Sequence, residues 1–234
     1  MLLAGLGLFW RQQIGDELAS LRQSLEEASS AERAVRQLLS SLVDRHGREC
    51  TTLHAMAESL VADSLAMLSL RMEFGEKERL TLYRRSELEW IGLGRFSDDI
   101  VLRVLTDSRL SGDCVVERAF RQGRFYIFGL PDPSTAEYVQ EQRDLGLTAA
   151  KARRLGMKSR SYFARGFGPR GSRERDCVLV AESLDPNGLD EESLLLCLDD
   201  ETCSLLRAIV DLAMHAELMH SSTEQDALAS GPSA

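Results

Sequence analysis

The chain has 234 residues, of which 44% are hydrophobic, and a formal net charge of −9 at pH 7. This apolar content is enough for a packed core, so a wholly disordered chain is excluded. The negative charge argues against non-specific nucleic-acid binding as the main role, and we expect no nucleic-acid partner. The five cysteines stand apart without a C-x-x-C pair, which predicts reduced thiols in a cytoplasmic protein and no metal site.

The first ten residues are apolar, but a helix that spans a bilayer needs about 20 such residues. Arg11 directly follows Trp10, an arrangement that suits a membrane–water interface. Three interpretations stay open: the first turns of a coiled coil, an interfacial anchor, or the end of a longer transmembrane helix. We therefore expect a cytoplasmic location, with contact of residues 1–10 at the inner face of a membrane as an open alternative.

Apolar residues recur at alternating spacings of four and three through the first 42 positions. This heptad pattern is typical of a coiled coil, in which helices bury one stripe against each other. A helix with a single apolar edge is unstable alone in water, so the pattern predicts a homodimer through a stalk of residues 1–46 that ends near Gly47. The residues expected at the dimer contact are Ile14, Leu18, Leu21, Leu25, Val35, Leu39 and Leu42.

A domain is predicted over residues 51–220. A helix begins at Thr51 or Thr52, and alternating apolar residues predict a strand over residues 68–74. A polar turn at Gly75 leads to a second strand at 80–83, and residues 90–96 read as a third strand. This part of the chain therefore predicts a hairpin with one buried face.

The second half of the domain alternates helical and strand patterns. Residues 111–122 have helical spacing and end at Gly123, a natural helix terminus. The remaining predicted elements are a strand at 125–128, a polar connection to 155, strands at 161–167 and 177–182, a closing helix at 190–220 and a disordered tail at 221–234. This order predicts an α+β domain with a mainly antiparallel sheet flanked by helices.

Three stretches of this domain carry a family resemblance. Residues 112–128 form a helix–glycine–strand unit, and residues 149–167 lead into a strand through Gly156-Met157-Lys158-Ser159. The closing helix over 189–218 opens with Leu189-Asp190-Glu191-Glu192. In this order and spacing, residues 51–220 resemble a GAF domain, the small-molecule sensing fold of signalling proteins. The resemblance implies a pocket between the sheet and the connection before the last hairpin, and dimerisation through the terminal helices.

The chain also departs from well-known GAF subtypes. It lacks the N-K-x-x-F-x-x-x-D-E signature of cyclic-nucleotide-binding members, and Arg95-Phe96-Ser97-Asp98-Asp99 is a superficial echo of it. No cysteine falls within residues 149–167, so the cysteine arrangement of free-methionine sulfoxide reductases is missing. We therefore expect no enzymatic activity, keep a redox GAF enzyme as the alternative, and leave the cofactor unknown.

Candidate pocket residues are aromatic side chains near the implied pocket and arginines from a basic stretch. Lysine and arginine crowd residues 151–175, and arginine binds phosphate or carboxylate with paired hydrogen bonds. Alternatively, these basic side chains form a solvated face that balances the charge of the acidic residues at 199–201. The candidates for ligand binding are Trp90, Phe96, Tyr126, Tyr138, Arg160, Tyr162 and Arg165.

These patterns favour a non-enzymatic signalling or regulatory protein that dimerises and senses a small ligand, an anionic one among the options, or docks a protein partner. The alternative is a degenerate GAF domain that acts as a scaffolding subunit of a membrane-associated or larger complex. A sensor requires a hollow between the sheet and residues 130–160, whereas a scaffold requires that this space be filled by side chains.

Overall fold

The computed structural model describes residues 2–87, 89–104, 109–110, 114–169 and 174–229. The chain divides into two compact units, residues 1–51 together with 223–234, and residues 52–222. Helix α1, Leu2–Arg71, begins in the first unit and continues into the second. The sheet and the candidate site belong to residues 52–222.

Helix α1 runs without a break through Gly47, so the predicted interruption there is wrong. A glycine inside a helix costs about 1 kcal/mol, which a helix of this length accommodates. The predicted strand at 68–74 is also wrong, because the helix continues to Arg71. Leu65, Leu68 and Met72 follow the helical spacing and pack into the domain core.

The predicted stalk falls in the first part of α1. Ile14, Leu18, Leu21 and Leu25 lie outside the residues whose side chains are described. Val35, Leu39 and Leu42 are 55%, 57% and 55% exposed. The coiled coil and the dimer therefore stay predictions.

The sheet has six strands in the order β3-β2-β1-β6-β5-β4, and every pairing among the described residues is antiparallel. This confirms the predicted fold class. The strands are β1 Glu78–Ser86, β2 Glu89–Phe96, β3 Arg109–Leu110, β4 Arg124–Ile127, β5 Ser161–Phe167 and β6 Cys177–Ser183.

Six further helices accompany the sheet among the described residues. They are α2 Ile100–Arg103, α3 Val115–Gln122, α4 Ala136–Asp144, α5 Ala149–Arg154, α6 Glu191–Cys197 and α7 Asp200–Ala229. Helix α3 ends at Gly123, whose φ of 88° and N–H bond to the Ala119 carbonyl make the predicted C-terminal cap.

The closing region differs from its prediction at both ends. Residues 190–220 form two helices. Helix α6 ends at Cys197, and Asp199 caps the next helix by accepting a 2.7 Å hydrogen bond from the Thr202 N–H. Helix α7 continues to Ala229, so the tail predicted to be disordered from Ser221 is helical as far as that residue. Residues 230–234 lie outside the described residues.

Helices cover both faces of the sheet. On one side, Val61 and Leu65 of α1 pack with Leu206 of α7 against Leu80 and Leu82 of β1. We call this side the α1/α7 face. On the other side, residues of α3 and α4 pack against alternate residues of the same strands, and we call it the α3/α4 face. A three-layer domain results, with the sheet in the middle.

A β-bulge in β2 determines which side chains reach each face. Leu82 pairs with Gly94 and Tyr83 pairs with Gly92, so Leu93 has no partner in β1. Strand side chains alternate between faces, and one extra residue reverses the alternation beyond it. Trp90 therefore contributes to the α3/α4 core, although Phe96, six residues later, packs against the opposite core.

One stretch of the described residues, Val35–Arg71, is long and apolar enough by composition to cross a membrane. Within it, Val61, Leu65 and Leu68 are buried in the core of the α1/α7 face. Core helices of soluble domains pass the same test of length and composition, and these residues account for part of its apolar content.

Candidate functional site

A buried carboxylate marks the α3/α4 face of the sheet. Glu182 of β6 lies opposite Arg79 of β1 in the antiparallel register. The Arg79 Nε and Nη2 atoms donate to Glu182 Oε2 at 2.8 and 2.5 Å, and the Ser159 hydroxyl donates to Oε1 at 3.0 Å. The two charged side chains are only 12% and 10% exposed. This ion pair is therefore largely removed from water.

Aromatic hydroxyls from neighbouring elements surround this pair. Tyr138 of α4 donates its hydroxyl to the Ser159 carbonyl at 3.2 Å, and Gln142 Nε2 donates to the Tyr162 hydroxyl at 3.3 Å. Tyr138, Gln142 and Ser159 are each at most 1% exposed. Together with Arg79, Tyr83, Tyr162 and Glu182, these residues form what we call the Glu182 cluster. It contains three of the four tyrosines of the chain.

Burial keeps the phenols of this cluster protonated. Burial first, and the Glu182 carboxylate second, raise the pKa of Tyr83 and of Tyr138 to about 12. The same two causes raise the pKa of Tyr162 well above its usual range. For Arg79, burial alone would lower the pKa, but the attraction of Glu182 outweighs it and the pKa is raised. At neutral pH the cluster therefore combines neutral hydroxyl groups with a charged pair.

A second arginine, Arg95 of β2, stands beside the cluster. It pairs with Thr81 across the β1–β2 ladder and donates from Nε to the Thr81 hydroxyl at 3.1 Å. Its Nη1 atom donates to the Val104 carbonyl at 2.8 Å. Thr81 itself pairs with Val180, a residue of the α3/α4 core, so Arg95 is on the same face as Glu182.

Four of the seven residues predicted from the sequence lie on the α3/α4 side. Tyr138 and Tyr162 belong to the Glu182 cluster. Trp90 is buried in the same core, where its indole N–H donates to Glu117 Oε2 at 3.0 Å. Arg160 donates from Nε to the carbonyl of Leu130, another residue of this core, at 3.0 Å.

The other three predicted residues are not brought to this site. Phe96 packs against the α1/α7 core because of the bulge at Leu93, and Tyr126 is 46% exposed and stacks on Phe128. Arg165 Nη2 forms a 2.8 Å ion pair with Asp200 Oδ1. The structure therefore does not bring these three residues together with the other four, and their part in ligand binding stays a prediction. For Arg165, the ion pair agrees with the alternative in which the basic residues pair with the acidic residues at 199–201.

The residues of this site that the sequence analysis missed are Arg79, Tyr83, Arg95, Gln142, Ser159 and Glu182. One signal was present for Glu182, because it follows Val178 and Val180 at the two-residue spacing of a buried strand face. A carboxylate at an inward-facing position is uncommon unless it is paired. Its partner Arg79 is 103 residues away and follows from the strand register alone.

No protein-family model and no curated protein matches this sequence. Among solved structures, the GAF domain region of a putative membrane protein from Geobacter sulfurreducens PCA is 13% identical, with 70% of this chain and 99% of that chain covered at a TM-score of 0.46. The GAF domain from Acinetobacter phosphoenolpyruvate-protein phosphotransferase is 11% identical, with 77% and 98% covered at a TM-score of 0.43.

A third match is type II free methionine-R-sulfoxide reductase from Thermoplasma acidophilum, at 11% identity, 74% and 96% coverage and a TM-score of 0.42. The antiparallel sheet with helices on both faces is the GAF-like α+β architecture expected from the sequence. These likenesses concern the fold alone.

Proposed function

We propose that this chain is a non-enzymatic regulatory protein that binds a small ligand at the Glu182 cluster and dimerises through α1. The observation that carries the proposal is the buried Arg79–Glu182 pair with the Ser159 hydroxyl on its second oxygen. A buried ion pair contributes little to stability compared with apolar residues of the same volume. Clusters of buried ionisable groups with shifted pKa values are candidates for functional sites.

Two of the five cysteines support a role without redox catalysis. A catalytic cysteine reacts as its thiolate and is found where a positive environment lowers its pKa. Cys177 and Cys203 are buried in the α1/α7 core, and burial raises the pKa of both thiols. Such thiols are poor nucleophiles at neutral pH.

The exposed side of α1 supports self-association. Val35, Leu38, Leu39, Leu42 and Val43 follow one helical face and are each 54–63% exposed. We call this set the α1 stripe. A contiguous apolar stripe of this kind is typical of a helix that packs against a partner. It extends the heptad positions that predict the homodimer. We further propose a cytoplasmic location, with residues 1–10 near a membrane.

Ligand binding is tested by native mass spectrometry of the gently purified full chain. We expect the wild type to carry additional small-molecule mass, and the variant Glu182→Gln to lose it because Arg79 and Ser159 lose their charged acceptor. Glu192→Gln is the matched control, since Glu192 is an exposed glutamate of α6. Circular dichroism checks that each variant is folded.

Ligand sensing would be contradicted if the wild type carries no additional mass and no component of a metabolite extract raises its melting temperature. That result would favour the scaffolding alternative. One specific observation already supports this alternative: Tyr138, Gln142, Ser159 and Glu182 bond to residues of the same domain, so protein side chains occupy this part of the face.

Dimerisation is tested by sedimentation velocity. The variant Leu39→Asp with Leu42→Asp places two charges in the α1 stripe, and we expect it to sediment as a monomer while the wild type sediments as a dimer. Ser40→Asp with Ser41→Asp is the matched control, because it adds the same charge to the polar side of the same turn of α1. A leucine variant that stays dimeric would contradict the stalk interface.

A further inference from the structure

We propose that Arg95 binds the acidic group of the ligand, and that the ligand is a small organic anion with a carboxylate or phosphate at one end. This inference rests on the proposed ligand-binding function and gives it a chemical class. It also moves the anion-binding role from Arg160 and Arg165, where the sequence suggested it, to a residue of β2.

Among the residues that the structure describes, Arg95 stands beside the cluster without an acidic side chain as its partner. Arg79 and Glu182 neutralise each other in their ion pair. Arg95 donates to the neutral Thr81 hydroxyl and Val104 carbonyl. It also interacts with the neutral Tyr83 hydroxyl. None of the ion pairs found in the described ranges includes Arg95. A half-buried guanidinium loses part of its hydration, and an anion that accepts its N–H groups restores this loss.

The other arginines considered for this role are already engaged. Arg160 donates to the Leu130 carbonyl, and Arg165 pairs with Asp200 near the start of α7. Lys158 donates from Nζ to the carbonyls of Ala152 and Arg153 at the end of α5. Each of these contacts stabilises the fold. Arg95 differs from these residues in that it faces the cluster from the strand next to β1, with the Thr81 hydroxyl and the Val104 carbonyl as acceptors.

The strand register sets the dimensions of the ligand. Glu182 pairs with Arg79 on one side of β1, and Arg95 pairs with Thr81 on the other side. All of these side chains are on the α3/α4 face. Neighbouring strands lie about 4.8 Å apart, and Arg95 and Glu182 are also offset by two residues along β1, so their backbones are about 12 Å apart. A molecule with its acidic group at Arg95 needs a length of this order to place hydrogen-bond donors at the Glu182 end of the cluster.

Tyr83 strengthens the anion site. It lies two positions beyond Thr81 on the same strand and the same face. Its hydroxyl is protonated at neutral pH, as that of any tyrosine is, and can donate to an anion, and burial moves its pKa further from neutrality, to about 12. Arg95 and Tyr83 together supply a charged donor and a neutral donor at one place on the sheet.

The test measures binding of two minimal probes, inorganic phosphate and succinate, to the full chain by thermal-shift titration at constant ionic strength. We expect both probes to raise the melting temperature of the wild type saturably, whereas sodium chloride does not. The variant Arg95→Gln should bind at least about tenfold more weakly, and Arg95→Lys should fall between the two. The matched control, Arg154→Gln, removes an exposed arginine of α5 and should bind as the wild type does.

The outcomes separate this inference from the proposed function. Equal probe binding by the wild type and Arg95→Gln would overturn the role of Arg95. No saturable response of the wild type to either probe, together with a co-purified mass that Glu182→Gln loses, would overturn the anionic class and leave ligand sensing standing. If the wild type carries no additional mass in native mass spectrometry and its melting temperature does not respond to either probe, both this inference and the proposed ligand sensing would be overturned.

Discussion

The two faces of the sheet differ in the kinds of side chains that the same strands bury. On the α1/α7 face, the large fully buried side chains are apolar, among them Leu65, Leu80 and Val210, and the small hydroxyls of Ser161 and Ser183 are buried at the strand ends. On the α3/α4 face, apolar residues share the interior with the polar members of the Glu182 cluster. The first arrangement is what stability alone would produce, because burial of apolar area is the main favourable contribution to folding.

Ion pairs show the same contrast. On the α1/α7 side, Arg207 binds Asp176 with two hydrogen bonds of 2.9 and 2.7 Å, and the two side chains are 13% and 39% exposed. The carboxylate of this pair therefore keeps contact with water. The Arg79 and Glu182 side chains are only 12% and 10% exposed, so both charges of that pair lose most of their hydration. The α3/α4 face thus buries the more completely desolvated ion pair, and stability alone does not explain such a pair.

Breaking the buried pair should have the largest effect. Arg79→Met leaves the Glu182 carboxylate buried without its charged partner, and we expect a loss of about 3–5 kcal/mol in the free energy of unfolding. The double variant Arg79→Met with Glu182→Leu should recover most of this loss. Urea denaturation of the four proteins in this cycle measures it. If the two single losses simply add in the double variant, the pair is not coupled as described.

The packing of the α1/α7 face is tested by a substitution that leaves a cavity in the core. Leu65→Ala removes a side chain that is 0% exposed, and we expect a loss of about 2–5 kcal/mol from lost burial and the residual cavity. Met67→Ala on the same helix is the matched control, since Met67 is 73% exposed, and it should change stability by less than about 0.5 kcal/mol. Equal losses from both variants in urea would contradict the assigned orientation of α1.

The smallest effect is expected from a single hydroxyl. Tyr138→Phe removes the hydrogen bond to the Ser159 carbonyl but keeps the ring, so we expect a loss of about 0.5–1.5 kcal/mol. The same variant should weaken retention of the co-purified ligand in native mass spectrometry if the cluster binds it. If the variant keeps both its stability and its ligand, the Tyr138 hydroxyl contributes neither to folding nor to ligand binding.

The sequence predicts the fold class well and the site poorly. Strands β5 and β6 and the end of α3 at Gly123 follow from local patterns. Residues 68–74 misled the prediction because apolar residues there fit both periods, two for a strand and three to four for a helix. Packing against the core selects the helix as far as Arg71, and periodicity within so short a window contains no information about that core.

The site could not be read from the sequence for a related reason. Arg79 and Glu182 are ordinary strand residues until the β1–β6 register places them opposite each other. Trp90 and Phe96 have the same parity in β2, so alternation predicts one face for both and the opposite face for Arg95. The bulge at Leu93 reverses this assignment.

That bulge lets residues of opposite parity in β2 share one face of the sheet. Trp90 and Arg95 are five positions apart, yet both are on the α3/α4 face, because Leu93 has no partner in β1. If Leu93 were deleted, Gly92 and Gly94 would become neighbours and would still pair with Tyr83 and Leu82, so the strand would become regular and both residues would keep their face. Among homologues of this chain, a one-residue gap at this place in β2 would therefore leave the arrangement of the site unchanged.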